Sequence, residues 1–342
     1  MDSLIMLFLV SMVLSFGFTP IVRKLAFKVN AVSVPKDERR IHTKAMPLMG
    51  GLAIYGAFLL TLIFKKGSIT THQLGIIAGT TIIVIEGIVD DIKVLKPWQK
   101  LIFQFAAALC LLFSGIKINY ITNPFDKTDL SLGIGFLSYP LTILWVIGIT
   151  NALNLIDGLD GLAAGIGLIS AITIFVISIL FNRTEAAILT AILSGAILGF
   201  LPYNFNPASI FMGETGAALL GFLLAAISME GAIKSAAAFA ITVPILALGL
   251  PIYDTLFAMI RRKVNGKPIM EGDRGHLHHR LLDMGLTQRQ AVIIMYLISA
   301  ILGGIAIIAM QIDTVRSYFL FVTVILFIVI IAWKAGFFKR KD

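Results

Sequence analysis

Amides and carboxylates recur in this chain at the ends of apolar segments, where their spacing suits phosphate and metal chemistry. The stretch "NALNLIDGLDGLAAG" places Asn151, Asn154 and Asp157 three residues apart, and Asp160 follows Gly158. On a helix the first three would form one stripe, and a charge in hydrocarbon costs at least about 2.5–3.5 kcal/mol on insertion scales. The residues either cap helix ends or line a polar cleft, and four such groups within ten residues favour the cleft.

A pair of adjacent acids, Asp90 and Asp91, stands in "VDDIKVLKPWQK" and is followed by Lys93, Lys96 and Lys100. Adjacent carboxylates repel each other unless a cation lies between them. Carboxylates with lysines beside them suit a magnesium-bound phosphate. A solvated turn with a helix cap is the other interpretation of the motif.

The motif "FNPASIFMGETG" has a similar design, because it places Glu214 between Gly213 and Gly216 at the start of an apolar segment. An acid at that place is favoured by the helix dipole. The flanking glycines would also let the backbone approach a ligand closely. The residues alone leave both interpretations open.

A histidine cluster lies in "DRGHLHHRLL", where His276, His278 and His279 stand between Arg274 and Arg280. Zinc is the obvious alternative for such a cluster, but the only cysteine is distant in the sequence and the arginines would oppose a dication. Arginine together with histidine is more typical of a phosphate clamp.

Two further charged positions stand outside these motifs. Lys44, in "DERRIHTKAMPLMGG", can hold an anionic headgroup or simply add to the positive charge of its loop. Asp254, in "PIYDTLFAMIRR", is predicted to pair with Arg261 or Arg262, one to two turns further along a helix.

The segments between these motifs are apolar enough to lie in lipid. Apolar residues make up 58% of the chain and the mean hydropathy is +0.94, whereas soluble domains are roughly 45–50% apolar. A window of about 20 apolar residues can cross the hydrocarbon core. Eleven such windows are present, at 3–22, 47–65, 72–89, 99–117, 134–150, 161–181, 185–202, 211–228, 235–260, 290–310 and 314–336. Without internal repeats or low-complexity linkers, the sequence predicts one all-α membrane domain over 1–342, with 10 or 11 spans.

Lysine and arginine predict the orientation of these spans, because cytoplasmic loops carry the excess. Of the 28 basic residues, 21 fall in one set of loops and the C-terminal segment, which places the C-terminus in the cytoplasm and the N-terminus outside. The predicted cytoplasmic catalytic loops are 23–46, 90–100, 151–160, 203–214 and 261–289. His72 is then a surface residue on the opposite side, and no soluble basic domain is left to bind nucleic acid.

The ordered set "PLMGG", "VDD", "NALNLIDGLDGLAAG", "FNPASIFMGETG" and "DRGHLHHRLL" resembles the polyprenyl-phosphate N-acetylhexosamine-1-phosphate transferases. These enzymes start the synthesis of peptidoglycan lipid, teichoic acid and O-antigen in bacteria, and of dolichol-linked sugars in eukaryotes. The resemblance implies a bundle of ten or eleven helices in the cytoplasmic membrane, with its active site on the cytoplasmic face. It also implies transfer of a sugar-1-phosphate from a UDP-sugar to undecaprenyl phosphate, release of UMP, a Mg²⁺ or Mn²⁺ cofactor and a possible homodimer.

The same resemblance implies roles for individual residues. The expected roles are catalysis for Asp90, Asp91 and His276; metal binding for Asn154 and Glu214; nucleotide binding for Asp157 and Asp160; stacking on uracil for Phe211; and phosphate or sugar contacts for Lys44, Arg274, His278 and His279. The family usually has aspartate at the position of Glu214, and glutamate is one methylene longer. Because Mg²⁺ requires near-octahedral ligation at about 2.0–2.1 Å, we expect the helix start to recede so that Glu214 still binds the metal directly.

Within the family, "HLHHRLLDMGLT" resembles the N-acetylglucosamine-1-phosphate branch. The peptidoglycan branch usually has a denser His-His-His motif with an acid close behind it, so UDP-GlcNAc is favoured over UDP-MurNAc-pentapeptide. An ion-coupled transporter is the alternative from another class, since it too would hold intramembrane acids. Transporters bind near the bilayer midplane and often contain inverted repeats, whereas the acids here cluster on one side.

Overall fold

The computed structural model describes residues 2–34, 45–122, 131–232, 242–266, 275–334 and 336. The long helices are α1 (Asp2–Lys28), α2 (Gly51–Ile63), α3 (Thr71–Lys93), α4 (Pro97–Ser114), α5 (Ser138–Ile156), α6 (Leu162–Leu180), α7 (Thr184–Asn204), α8 (Gly213–Ala232), α10 (Gly249–Val264), α12 (Gln288–Ala309) and α13 (Thr314–Lys334). Short helices are α9 (Thr242–Ala247) and α11 (Leu277–Asp283), and a 3₁₀ turn spans Gly135–Leu137.

Within the described ranges, eight helices are long and apolar enough to cross a membrane. The all-α, multi-pass architecture predicted from the sequence is therefore confirmed. Each of the eleven predicted windows contains helix, but the window 235–260 is broken between α9 and α10. The break has a local cause, because Pro251 has no N–H to donate to the carbonyl of Ala247. The hydroxyl of Ser170, on α6, donates to that carbonyl instead, at 2.8 Å.

Helix α8 forms the centre of the bundle. Of its spanning residues 89% are buried, against 17% in α1 and 11% in α13. It packs against α2, α3, α5, α6 and α7. Since α8 begins at Gly213, the polar motif at its start lies where several helices meet, away from the lipid-facing edge of the protein.

Two small sheets connect the helices. Strand β1 (Val32–Ser33) pairs with β2 (Met46–Pro47), and β3 (Tyr120–Thr122) pairs with β4 (Ser131–Gly133), both antiparallel. The chain after β2 continues the pairing with the segment before α8. Phe211 donates its N–H to the carbonyl of Pro47 at 2.9 Å, and Gly51 donates to the carbonyl of Met212 at 3.0 Å. The starts of α2 and α8 are thereby fixed together by main-chain bonds.

Candidate active site

Lys100 lies at the centre of a polar cluster built from four helices. Its Nζ atom is 3.1 Å from Oδ2 of Asp90 and 2.7 Å from Oε2 of Glu214. The amide of Asn154 donates to the same Glu214 oxygen at 2.5 Å. Asp90 is buried, whereas the side chain of Glu214 is 33% exposed. Two acids and an amide that are far apart in the sequence therefore surround one cation at an accessible place.

The turn between α3 and α4 brings Lys100 over Asp90. Helix α3 ends at Lys93, and Oδ1 of Asp90 accepts the N–H of Leu95 at 2.5 Å, just beyond the helix end. Helix α4 then begins at Pro97, a residue well suited to the first helical position because its missing N–H has no partner to lose there. The short turn places Lys100 in the first turn of α4, where its ammonium group reaches back to Asp90.

Asp91 points away from Lys100 and caps the start of α8. Its Oδ1 accepts the N–H of Glu214 at 2.9 Å, and its Oδ2 accepts the hydroxyl of Thr215 at 2.6 Å and the N–H of the same residue at 3.2 Å. Gly213 has φ +72°, and a Cβ there would lie 2.5 Å from Asp91 Oδ2. The resemblance implied a catalytic role for both acids, with Asp90 oriented toward the lipid phosphate. In the structure Asp90 faces the cluster, and Asp91 holds the helix that carries Glu214.

Asp157 ends α5 and lies close to three other acids. Its N–H donates to the carbonyl of Asn154 at 3.2 Å, and its side chain is partly exposed. Burial raises the pKa of Asp157 to about 7, and the charges of Glu214, Asp91 and Asp160 add to the shift. The Asp157 carboxyl is therefore partly protonated near neutral pH, and a cation bound beside it would favour its ionised form.

Asp160 lies in the turn between α5 and α6 and contacts the loop between α7 and α8, which carries Phe211. Oδ2 of Asp160 accepts the side-chain amide of Asn206 at 3.1 Å and the N–H of Ala208 at 3.0 Å. Arg289, on α12, donates to the carbonyl of Asn206 at 2.9 Å. Phe211 is half-buried and is held through its main chain. Asp160 thus fixes the loop on which the predicted uracil-stacking side chain is mounted.

The three histidines do not share one environment. Nδ1 of His276 lies 2.7 Å from Oδ2 of Asp254, so Asp254 pairs with a histidine rather than with Arg261 or Arg262 as the sequence predicted. His278 is buried, and its ring occupies the space that a side chain at residue 158 would need. Burial lowers the pKa of His278 to about 3, with a further contribution from His279, so this ring is neutral at physiological pH.

Two predicted site residues, Lys44 and Arg274, lie outside the described residues. Sequence reasoning gave no special role to Lys100 among the three lysines that follow the acid pair, and it missed Thr215 as a partner of Asp91. The position of Lys100 three residues after Pro97 was the available signal for a residue in the first turn of a helix. In the part of the chain that the structure describes, no group of three His, Cys, Asp or Glu side chains is placed to hold a metal by itself.

Comparison with known proteins gives a consistent result. The profile of glycosyl transferase family 4 matches residues 73–232. A probable undecaprenyl-phosphate N-acetylglucosaminyl 1-phosphate transferase of Bacillus subtilis is 40% identical over 341 residues, covering 100% of this chain and 94% of that protein. A decaprenyl-phosphate N-acetylglucosaminephosphotransferase of Mycolicibacterium smegmatis is 34% identical, covering 84% and 78%. A phospho-N-acetylmuramoyl-pentapeptide-transferase of Halalkalibacterium halodurans is 32% identical, covering 89% and 95%.

The order of the polar motifs, their convergence at one end of the helix bundle and these matches over nearly the full length of the chain agree. The chain belongs to glycosyl transferase family 4, among the membrane enzymes that transfer an N-acetylhexosamine 1-phosphate to a polyprenyl phosphate.

Proposed function

We propose that this protein transfers GlcNAc 1-phosphate from UDP-GlcNAc to undecaprenyl phosphate, giving undecaprenyl-diphosphate-GlcNAc and UMP. The observation that carries the proposal is the 40% identity, over the whole chain, to a probable enzyme of that description. The "HLHHRLLDMGLT" segment supports the same branch of the family.

The proposed reaction suits the charges around Lys100. The lipid phosphate is an anionic nucleophile that attacks the sugar-linked phosphorus and displaces UMP, so catalysis is largely positioning and neutralisation of charge. Lys100 would contact phosphate oxygens as they enter, exchanging part of its contact with Asp90 and Glu214 for them. Asp90 would hold the ammonium group in place, and the pairing of 47–51 with 211–212 would keep the cluster open to one end of the bundle.

Magnesium is the cofactor that this donor set favours. Carboxylates of Asp90 and Glu214 and the amide of Asn154 surround a positive charge, and all can offer oxygen ligands. Mg²⁺ is usually bound by one or two carboxylates together with substrate phosphates, and Asp90 and Glu214 supply two carboxylates here. When bound, the ion would neutralise charge on the pyrophosphate and stabilise the departing UMP. Glu214 and Asn154 are the proposed ligands.

We further propose that the site faces the cytoplasm in the cytoplasmic membrane. The polar cluster lies at the ends of helices next to the loops that carry most of the lysine and arginine residues. Loops that are rich in lysine and arginine are generally retained on the cytoplasmic side of a membrane protein, which supports this orientation. The UDP-sugar would then reach the site from water and the lipid phosphate from the surrounding bilayer.

The direct test uses the purified full-length protein with Mg²⁺, UDP-GlcNAc and undecaprenyl phosphate, and measures released UMP. We expect UMP release that requires both substrates and is lost in Asp90→Asn. A second reaction with UDP-MurNAc-pentapeptide tests the alternative suggested by the 32% identical relative. UMP from that substrate alone would assign the protein to the peptidoglycan branch, and no UMP from either would contradict the proposal.

A further inference from the structure

Asp254 and His276 form a buried pair that none of the sequence motifs predicts. Asp254 lies on α10, and His276 immediately precedes α11. Oδ2 of Asp254 is 2.7 Å from Nδ1 of His276, and the two side chains are 3% and 5% exposed. Because an ionised carboxylate only accepts hydrogen bonds, Nδ1 carries the proton in this pair. Nε2 is then the ring nitrogen left for a substrate.

The second oxygen of Asp254 fixes the helix that follows. Oδ1 accepts the N–H of Leu277 at 2.8 Å, which is the first residue of α11. The same carboxylate therefore sets both the ring of His276 and the start of the helix that carries the other two histidines. Its two bonds go to adjacent residues, so a shift of Asp254 would move the ring and the backbone together.

The turn before His276 is held from two other directions. The guanidinium group of Arg261 lies where a Cβ of Gly275 would be, so residue 275 has no room for a side chain. Arg280 donates from Nε to the carbonyl of Gly275 at 3.0 Å. The rings of His276 and His278 are nearly parallel, with their centroids 5.9 Å apart. Contacts on several sides leave the imidazole of His276 little freedom to turn.

We propose that Asp254 is a positioning residue that fixes the tautomer and direction of the His276 ring for phosphate binding. This inference rests on the proposed function, because it assigns the ring a phosphate-bearing substrate. A side chain held in this way loses little entropy when it binds, and misplacement of a contacting group by about 1 Å can cost 10²-fold in rate.

The kinetic test is a double-mutant cycle on the full-length enzyme with Mg²⁺, UDP-GlcNAc and undecaprenyl phosphate. We expect Asp254→Asn to lower kcat/KM for UDP-GlcNAc by about 10–100-fold, because an asparagine oxygen cannot serve both Nδ1 and the Leu277 N–H. In a His276→Ala background the same change should have almost no further effect. If the double variant lost activity by the product of the two single-variant factors, the two residues would act independently and the proposal would be overturned. An unchanged rate in Asp254→Asn would also overturn it.

Two control variants separate positioning from folding. Tyr253→Phe changes the neighbouring residue of α10, whose hydroxyl is buried without a hydrogen-bond partner in the described structure, and should leave kcat/KM unchanged. Leu277→Pro removes the N–H that Asp254 caps but leaves the bond to His276. His276 already has φ −60° and ψ 153°, the extended backbone that precedes a proline. We expect Leu277→Pro to lower the melting temperature with kcat/KM kept within about threefold, as the ring stays positioned. A loss as large as that of Asp254→Asn would assign Asp254 to the helix cap and overturn the proposal.

An independent readout uses ¹⁵N-histidine NMR, which is practical because the chain has five histidines. The parent should show an Nδ1-protonated ring signal that is absent in His276→Ala and altered in Asp254→Asn, whereas the signal of His72, whose Nδ1 pairs with Glu230, should stay unchanged in both variants. An unaltered ring signal in Asp254→Asn would overturn the proposal. If the parent releases no UMP, the proposed function fails, and the NMR comparison alone decides whether Asp254 sets the ring.

Discussion

The two ends of α8 each carry a glutamate, and their surroundings differ. Near the end of the helix, Glu230 pairs with Nδ1 of His72 at 2.8 Å, and its side chain is 2% exposed. At the start, Glu214 contacts Lys100 and Asn154 and remains 33% exposed. His72, which the sequence predicted to be a surface residue, is 29% exposed and pairs with this buried acid. One acid is enclosed with its histidine partner, while the other keeps solvent access.

The difference shows how a structural acid and a functional acid can be told apart. A buried carboxylate that is bonded to a matched partner has lost its water, and removing that partner is costly. When an accessible carboxylate shares a cation with a second acid, the cation can give up one of these contacts and bind an incoming ligand instead. The comparison leads to four predictions, given from the largest expected effect on activity to the smallest.

Asp90→Asn and Asp91→Asn should each lower kcat by at least ~10²-fold while the protein stays folded, the scale of losing a positioned electrostatic group. The causes differ. Asp90→Asn removes the charge that faces Lys100, whereas Asp91→Asn turns an NH₂ group toward the donors of Thr215 and so displaces Glu214. UMP release and detergent-based melting curves measure both. A near-parental rate in either variant would remove that residue from the mechanism.

Replacement of Glu214 tests whether its exposed position serves a metal. We expect Glu214→Gln to lose most activity, because the amide has one fewer oxygen to offer. Glu214→Asp should raise the magnesium concentration needed for half-maximal rate, because its carboxylate is one methylene shorter and Mg²⁺ tolerates little deviation from about 2.0–2.1 Å. Rates titrated over Mg²⁺, together with Mn²⁺ binding followed by EPR, check this. Full activity of Glu214→Gln at ordinary magnesium would show that Glu214 is not a ligand.

The raised pKa of Asp157 predicts a stability effect in the absence of substrate. Its pKa is about 7 in the folded protein and about 3.9 in an unfolded chain. Between these values the folded state binds more protons, so stability falls as pH rises and then stays constant above about pH 7. Asp157→Asn should therefore raise the melting temperature at pH 8 relative to the parent by about 1–3 °C. Melting curves at pH 5 and pH 8 measure it.

The matched control for Asp157→Asn is Asp313→Asn, because Asp313 is exposed and, among the described residues, its carboxylate pairs with Arg316 at 3.1 Å. This variant should show no such pH-dependent gain. An equal gain in both variants, or a gain for Asp157→Asn that is as large at pH 5, would contradict the assignment.

Glu230→Gln should have the smallest effect on activity. The amide can still bond to a neutral His72, so we expect kcat and the magnesium requirement to stay within about threefold of the parent, with a melting temperature lower by a few degrees. The same assay that reports on Glu214 measures this variant. A large loss of turnover in a protein that melts normally would mean that the two ends of α8 are coupled, and the contrast drawn between them would be wrong.

Much of the architecture was predictable because lipid imposes simple rules. Apolar windows gave the helices, and a period of three placed Asn154 and Asp157 near one another. The tight turn after Asp90 could also be anticipated from Pro97. The breaking of the window 235–260 was less evident, since a proline near a helix start is compatible with one continuous helix in many contexts.

What the sequence could not provide was the direction of individual side chains. The sequence around Asp90 and Asp91 does not show that Asp90 faces Lys100 and Asp91 caps α8. These directions depend on the position of Thr215, which lies on another helix. The pairing of Asp254 with His276 joins residues separated by 22 positions, and local spacing favoured nearby arginines instead. Both side-chain pairings are set by tertiary packing, which cannot be inferred from the periodicity of the sequence.

The main-chain bonds between 47–51 and 211–212 have a consequence for inhibitors that would occupy the polar cluster. Such a compound would contact the main-chain peptide groups of 47–51 and 211–212, which form a rim beside the cluster. A point mutation changes a side chain but leaves the peptide groups in place. A substitution at Leu48 or Met212 would alter packing but leave these bonds available. We therefore expect resistance to arise through side chains such as Lys100 or Asn154, whose loss would also impair the enzyme. Fewer point mutations should therefore give resistance to a compound that binds these peptide groups than to a compound that binds side chains alone.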